Sequence, residues 1–181
     1  MKTKLIGLSA FSGILVMLAL YGLSKSSGNA YLYGWALVVA PAVLFGLAII
    51  TAVKDSKWYR KIILLILTEV VYFIAYYMCV RIVSYPNVLD SADSSGFYGF
   101  LAASEFGAIA FIMLFHFVLY KIDRFFLSLI CGVIISCIAI VPSFLLNPNK
   151  DSAWAGLLIF PCWQMGVGIA LAVGVKNPSA S

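Results

Sequence analysis

Charge is scarce in this chain. Only 10% of its 181 residues are Asp, Glu, Lys or Arg, whereas 64% are hydrophobic. A soluble globular domain is about half apolar and about one quarter charged. So few charges do not suffice to cover a surface that faces water, and the mean hydropathy of +1.06 indicates the same. The composition therefore predicts an integral membrane protein.

Patterns for metal binding, disulfides and catalysis are also lacking. The chain has one histidine and four cysteines, and no two cysteines form a CxxC pair. We expect these thiols to be buried and free, with no zinc site, no disulfide framework and no cofactor. No GxSxG, HExxH, P-loop or CaaX pattern occurs. We identify no catalytic constellation, and a membrane-embedded enzyme that uses two carboxylates ranks third among our hypotheses.

Long apolar runs, by contrast, dominate the sequence. A helix needs about 20 apolar residues to cross a bilayer core about 30 Å thick. Six segments meet that length, and polar or turn-forming stretches separate them. Lipid offers no partner to a free backbone group, so each segment should be helical. We predict a single transmembrane domain over residues 1–181, an all-α bundle with spans at about 5–24, 31–53, 61–83, 98–120, 124–146 and 153–175.

Basic residues fall mostly on one side of these spans. Lys and Arg are enriched in cytoplasmic loops. With a cytoplasmic N-terminus, Lys25, Arg81 and Lys150 lie outside, as does the loop with Asp90 and Asp93. The other nine basic residues lie inside: Lys2, Lys4, Lys54, Lys57, Arg60, Lys61, Lys121, Arg124 and Lys176. We predict that both termini are cytoplasmic, in a bacterial cytoplasmic (inner) membrane, and that the net charge of +5 reflects topology and not nucleic-acid binding.

The first span has an alternative interpretation. Lys2 and Lys4, the apolar run and the small residues around position 29 are also typical of a cleaved signal peptide. The run of about 20 residues is longer than the usual 7 to 15 of such peptides. We therefore expect a retained helix.

Small residues recur at every fourth position in four spans, which lets helices approach closely in lipid. We interpret these stripes as packing within one bundle, with homo-oligomerisation as the alternative. Prolines near the predicted centres of spans two and six, Pro41 and Pro161, predict a kink in each. The stripes are Ser9 and Gly13; Ala42 and Gly46; Gly99, Ala103 and Gly107; and Gly166, Ala170 and Gly174.

Two acidic residues lie inside apolar spans, Glu69 in span three and Glu105 in span four. A charge at the bilayer centre costs ~3 kcal/mol on insertion scales, so both should face the bundle interior, a wet cavity or a partner. The two spans are adjacent and antiparallel, so one hypothesis is that the two carboxyl groups face one another. They lie about 10 Å apart in depth, which disfavours a shared proton. Tyr72 and Tyr76 follow Glu69 on the same helix face and are candidates to bond it or to frame a ligand.

Two further polar residues are candidates. His116 follows Glu105 by 11 residues, so both lie on one face of span four, about 16 Å apart. A polar path along that face is one hypothesis, and a locally bonded histidine is the preferred one. Gln164 follows Pro161 by three residues, and we expect it to bond carbonyls that the proline leaves free. The predicted ligand-binding or proton-site residues are Glu69, Glu105, Tyr72, Tyr76, His116 and Gln164, with no spacing for a metal.

Two functional hypotheses follow from these features. The first is intramembrane binding by a non-enzymatic protein, as a subunit of a membrane assembly or an accessory or immunity-type partner, because the chain is small and has short loops. The second is a small transporter, or the substrate-binding component of one, with an acidic and tyrosine-lined site between helices three and four. The expected partners are the lipid bilayer, a membrane protein or a second copy, and a small ligand.

Overall fold

The computed structural model describes residues 1–26, 30–53, 56–83, 92–145 and 157–175. Over these residues the chain forms six α-helices and no strand, as the apolar runs predict. A π-helical turn, Phe115–Leu119, directly follows the fourth helix. The helices are α1 (Lys2–Ser26), α2 (Ala30–Ala52), α3 (Trp58–Val83), α4 (Ala92–Leu114), α5 (Phe125–Leu145) and α6 (Ile159–Gly174).

Five of these helices, α1 to α5, are long and apolar enough to cross a membrane. The sixth has 16 residues and is shorter than its predicted span, whose first residues, 153–156, lie outside the described part of the chain. Helix α4 begins at Ala92, six residues before the predicted start of its span. Length and composition thus make a multi-pass membrane protein plausible.

Each helix packs against its neighbours in sequence, and α6 also packs against α1, which closes the bundle into a ring. The ring has an aromatic centre contributed by alternate helices. Phe45 of α2 lies 4.6 Å from Phe111 of α4 and 5.6 Å from Trp163 of α6, measured between ring centroids. All three side chains are buried.

The contact between α1 and α6 is unusually close. A Cβ atom on Gly13 of α1 would lie 2.9 Å from the carbonyl oxygen of Phe160, and one on Gly168 of α6 would lie 2.8 Å from the Cβ of Ser9. Neither position therefore has room for a larger side chain. The stripe at Ser9 and Gly13 packs against another helix of the same chain, as we predicted.

The small residues of α6 pack against two neighbouring helices. Gly168 packs against α1, whereas Gly166 packs against Ile135 of α5 and Gly174 packs against Ser128 of α5. The Ser128 hydroxyl also donates to the carbonyl of Ala170, at 2.8 Å. Helix α6 is thus held on two sides, which suits a short helix that closes a ring.

Pro41 and Pro161 occupy different positions within their helices. Pro41 lies in the interior of α2, as predicted. Pro161 is the third residue of α6, and Leu158, one turn before it, interrupts the helical pattern. The first residues of the predicted span, 153–156, lie outside the described residues, so the kink at Pro161 stays a prediction. In the first turn of a helix the missing N–H has no carbonyl to bond, and proline is tolerated there.

Basic residues collect at one end of the bundle. The start of α5 and the end of α6 meet there, where the Arg124 N–H donates to the Gly174 carbonyl at 3.0 Å. Of the nine Lys and Arg residues that the structure describes, Lys25 and Arg81 lie at the opposite end. The other seven form what we call the basic end: Lys2, Lys4, Lys57, Arg60, Lys61, Lys121 and Arg124.

Apolar side chains also cover the outside of the bundle. Ile66 and Phe73 of α3 and Ile130 and Ile138 of α5 each expose more than half of their surface. Soluble proteins rarely expose continuous apolar patches beyond a few hundred Å². The exterior of α3 and α5 is therefore suited to lipid.

Replacement of Gly13 by alanine should destabilise the bundle. The added methyl group meets backbone atoms of α6, which do not move aside as a flexible side chain does, so we expect a loss of ~1–3 kcal/mol in the free energy of unfolding. The measurement is unfolding of the purified protein in mixed micelles by titration with sodium dodecyl sulfate. Gly7→Ala is the control, since a Cβ at Gly7 meets nothing within 4 Å. Equal stability of both variants would contradict the close contact.

Candidate ligand-binding cavity

A cavity of about 540 Å³ lies between α2, α3, α4 and α6. It is at the end of the bundle opposite the basic end, where α2 and α4 begin and α3 ends. Small-molecule sites usually measure ~300–1,000 Å³ and are mostly apolar. The cavity is lined by Tyr33, Leu37, Val71, Tyr72, Ala75, Tyr76, Cys79, Val80, Phe100, Ala103, Ser104, Gly107, Leu157, Ile159, Phe160 and Trp163.

Trp163 forms the inner wall of this cavity. Its indole N–H donates to the carbonyl of Ser104 in α4, at 3.1 Å. The ring meets Tyr72 of α3 edge-on, with centroids 5.6 Å apart and planes at 83°. Gly107 lets the indole lie against α4, because a Cβ there would be 3.0 Å from it. The Ser104 hydroxyl in turn donates to the carbonyl of Ser136 in α5, at 3.2 Å. The wall is therefore fixed by bonds to neighbouring helices.

Gln164 lies directly behind that wall and is fully buried. Its Oε1 accepts a hydrogen bond from the Ser12 hydroxyl of α1, at 2.7 Å. Its Nε2 donates to the Pro41 carbonyl of α2, at 3.3 Å, and to the Tyr72 hydroxyl of α3, at 3.2 Å. One amide thus joins four helices. It bonds the carbonyl of Pro41, not one left free by Pro161 as we had expected.

The two acidic residues lie apart from each other. Glu105 points towards α5, where its Oε1 accepts hydrogen bonds from the Ser136 hydroxyl and the Cys137 thiol, each at 2.9 Å. Glu69 lies on α3, one turn before Tyr72. Its Oε1 and the Oε2 of Glu105 are buried and have no hydrogen-bond partner within the described residues. Glu105 therefore faces α5, so the idea that the two carboxyl groups face one another across α3 and α4 is not supported.

His116 lies at the other end of α4, within the π-helical turn. Its Nδ1 accepts a hydrogen bond from the backbone N–H of Ile122, at 2.9 Å. Its ring lies 4.4 Å from that of Phe125, the first residue of α5. The imidazole thus stabilises the segment that connects α4 to α5. This contact agrees with our preferred interpretation of His116 as a locally hydrogen-bonded residue.

The cavity brings together only part of the predicted set. Tyr72 and Tyr76 line it, and Gln164 bonds one of them. The described residues that line the cavity do not include Glu69, Glu105 or His116. The site is also bounded by α2 and α6, whereas we had predicted one between the third and fourth helices.

Trp163 was missed in the sequence. Tryptophan in membrane proteins prefers the interface, yet Trp163 lies well inside the last predicted span. A tryptophan at such a depth needs an acceptor for its N–H. Its position next to Gln164 was the available signal that this helix faces a polar feature of the bundle interior.

No protein-family model, curated protein or solved structure matches this chain. No family is therefore assigned.

Removal of the Gln164 amide should loosen the bundle. Gln164→Met keeps the length of the side chain and deletes the bonds to α1, α2 and α3, so we expect the free energy of unfolding to fall by about 1–3 kcal/mol. Unfolding in mixed micelles measures this. Thr68→Val is the control, because the buried Thr68 hydroxyl bonds only the Leu64 carbonyl of its own helix within the described chain. A Gln164→Met protein as stable as wild type would contradict the joining role.

Proposed function

We propose that this protein is a multi-pass membrane protein that binds a small, mostly apolar molecule in the cavity beside Trp163. The observation that carries the proposal is the cavity itself. A space of about 540 Å³ has the size of a small-molecule site. It opens at the surface of α3, where Tyr76 and Val80 are exposed, and it ends at Trp163, which is buried. At that inner end, hydrogen bonds to neighbouring helices hold Trp163 and Tyr72.

The proposal favours the second of our two hypotheses, a substrate-binding transport component or small transporter. It also keeps a part of the first, since a binding component acts with a membrane partner that receives the ligand or drives its passage. The sequence has no P-loop, so nucleotide-driven transport would require such a partner. The role of Glu69 and Glu105 as proton sites is a separate proposal, because neither residue lines the cavity.

The proposed location is a bacterial cytoplasmic membrane, with both termini in the cytoplasm. The distribution of basic residues supports this orientation, because seven of the nine described ones collect at a single end. The cavity would then lie in the outer half of the bilayer. A ligand would reach it from the outer leaflet or from the external space.

Single cysteines in a cysteine-free background test the orientation. We expect Ser24→Cys, at the end of α1, to react with a membrane-impermeant maleimide in intact cells. Lys121→Cys, at the basic end, should react only after the membrane is permeabilised. Both Ser24 and Lys121 are exposed, so accessibility from solvent is matched. The reverse pattern would overturn the orientation.

Filling the cavity tests the binding function. Native mass spectrometry of protein extracted gently from cells should detect a small molecule bound at one per chain. Ala75→Phe places a ring into the cavity, so we expect occupancy to fall at least tenfold. Ile74→Phe is the matched control, because Ile74 is the next residue and points to the outside of the bundle.

Two outcomes would contradict the binding function. The first is equal occupancy in both variants, which would place the bound molecule elsewhere. The second is wild-type protein that carries no molecule and binds no added apolar probe, such as 2-ethylnaphthalene.

A further inference from the structure

The hydrogen bonds of the Gln164 amide determine which way its two ends point. The carbonyl of Pro41 lies 3.3 Å from one end of the amide, and a carbonyl oxygen can only accept. The NH₂ group must therefore face Pro41, since the opposite orientation would press two carbonyl oxygens together. The oxygen of the amide then faces the Ser12 hydroxyl, which can donate to it at 2.7 Å.

This orientation assigns a role to the Tyr72 hydroxyl. The amide nitrogen has two hydrogens, and one is directed to Pro41 while the other is directed to Tyr72, at 3.2 Å. Tyr72 is consequently the acceptor in that bond. Its own hydroxyl hydrogen points away from Gln164, and no described residue accepts it.

The other deep donors of the cavity are already in use. The Trp163 N–H is bonded to the Ser104 carbonyl, and the Ser104 hydroxyl is bonded to the Ser136 carbonyl. Tyr72 is half-buried and lies against Trp163, at the inner end of the cavity. Its hydroxyl is thus the deep donor that remains for a ligand.

The cavity also limits the charge of the ligand. None of the described residues that line it is Asp, Glu, Lys, Arg or His. An ion moved from water into such a site would lose its hydration without gaining a partner of opposite charge, which is strongly unfavourable. A neutral molecule meets no such penalty.

The side chains of Tyr72, Phe160 and Trp163 give the cavity an aromatic lining, against which a ring of the ligand can pack. We propose that the ligand is a neutral, ring-bearing molecule with a carbonyl-type acceptor, and that the Tyr72 hydroxyl donates a hydrogen bond to this acceptor. Gln164 is a positioning residue. Its NH₂ group donates a hydrogen bond to the Tyr72 hydroxyl oxygen, and this bond directs the hydroxyl hydrogen of Tyr72 into the cavity. The inference rests on the proposed binding function and specifies its ligand class.

A matched pair of probes tests this inference. 2-Acetylnaphthalene and 2-ethylnaphthalene have nearly the same size, and only the first has an acceptor. Binding to the purified full-length protein is measured by native mass spectrometry over a range of probe concentrations. Wild type should bind the ketone roughly three- to tenfold more tightly, as one hydrogen bond warrants.

The variants separate recognition from folding, because the ratio of the two affinities is independent of the fraction of protein that is folded. Tyr72→Phe should lose the preference for the ketone and keep its affinity for the hydrocarbon. Gln164→Met should reduce the preference. Tyr77→Phe should retain it, since Tyr77 is exposed on α3 and is not among the described residues that line the cavity, and so should Glu69→Gln, since no hydrogen bond joins Glu69 to Tyr72 within the described chain.

The outcomes that would overturn the inference are distinct from those that concern the binding function. Equal affinity of wild type for both probes, or a preference that survives in Tyr72→Phe, would overturn the inference while binding itself stands. A preference that is lost in Tyr72→Phe but unchanged in Gln164→Met would remove the positioning role of Gln164. Loss of the preference in Glu69→Gln would indicate that the Tyr72 hydroxyl interacts with the Glu69 carboxyl group and does not act on the ligand alone. That result would overturn the inference. Wild-type protein that carries no molecule and binds neither probe would contradict the proposed function, and the inference with it.

Discussion

The buried amide of Gln164 is the interaction on which the rest of the bundle depends. In the interior it must replace every hydrogen bond that it would make to water, because an unsatisfied polar group in an apolar environment is costly. It does so with a hydroxyl of α1, a backbone carbonyl of α2 and a phenol of α3. These bonds require that four helices meet at one depth. The apolar surfaces of the helices, which are alike all round, impose no such requirement.

The close contact between α1 and α6 makes this meeting possible. Ser12 reaches Gln164 because Gly13 and Gly168 let the two helices approach. With α6 held against α1 and α5, its indole at Trp163 extends across the ring towards α3 and α4. Helices α4 and α6 otherwise make little direct contact. The cavity occupies the space between them on the side of Trp163 that faces away from the basic end.

The sequence was sufficient for the number and the type of the helices that the structure describes, because each apolar run of about 20 residues between polar stretches has the length and composition of a helix that can cross a bilayer. It was not sufficient for the rotation of each helix about its axis. A helix that is apolar on all sides has no face that must point inward, so packing decides. Glu105 therefore faces α5, where Ser136 and Cys137 bond it, although its proximity in sequence to α3 had indicated Glu69 as its neighbour. The role of Trp163 was not predicted for the same reason. Apart from the neighbouring Gln164, its apolar span gives no indication of which residue reaches the centre of the bundle.

The separation of the acids from the cavity has a chemical consequence. Glu105 is bonded to α5, and the hydrogen bonds that lead to it from the cavity wall pass through Ser104 and Ser136 and do not include Tyr72. Glu69 differs, because it lies one helical turn from Tyr72 and has a buried oxygen without a partner among the described residues. If occupancy of the cavity is coupled to the protonation of Glu69, Tyr72 is the residue placed to connect them, since it lies one turn from Glu69, lines the cavity and bonds Gln164. The same phenol then serves two purposes. It recognises a neutral ligand, and it stands between that ligand and the nearest ionisable group.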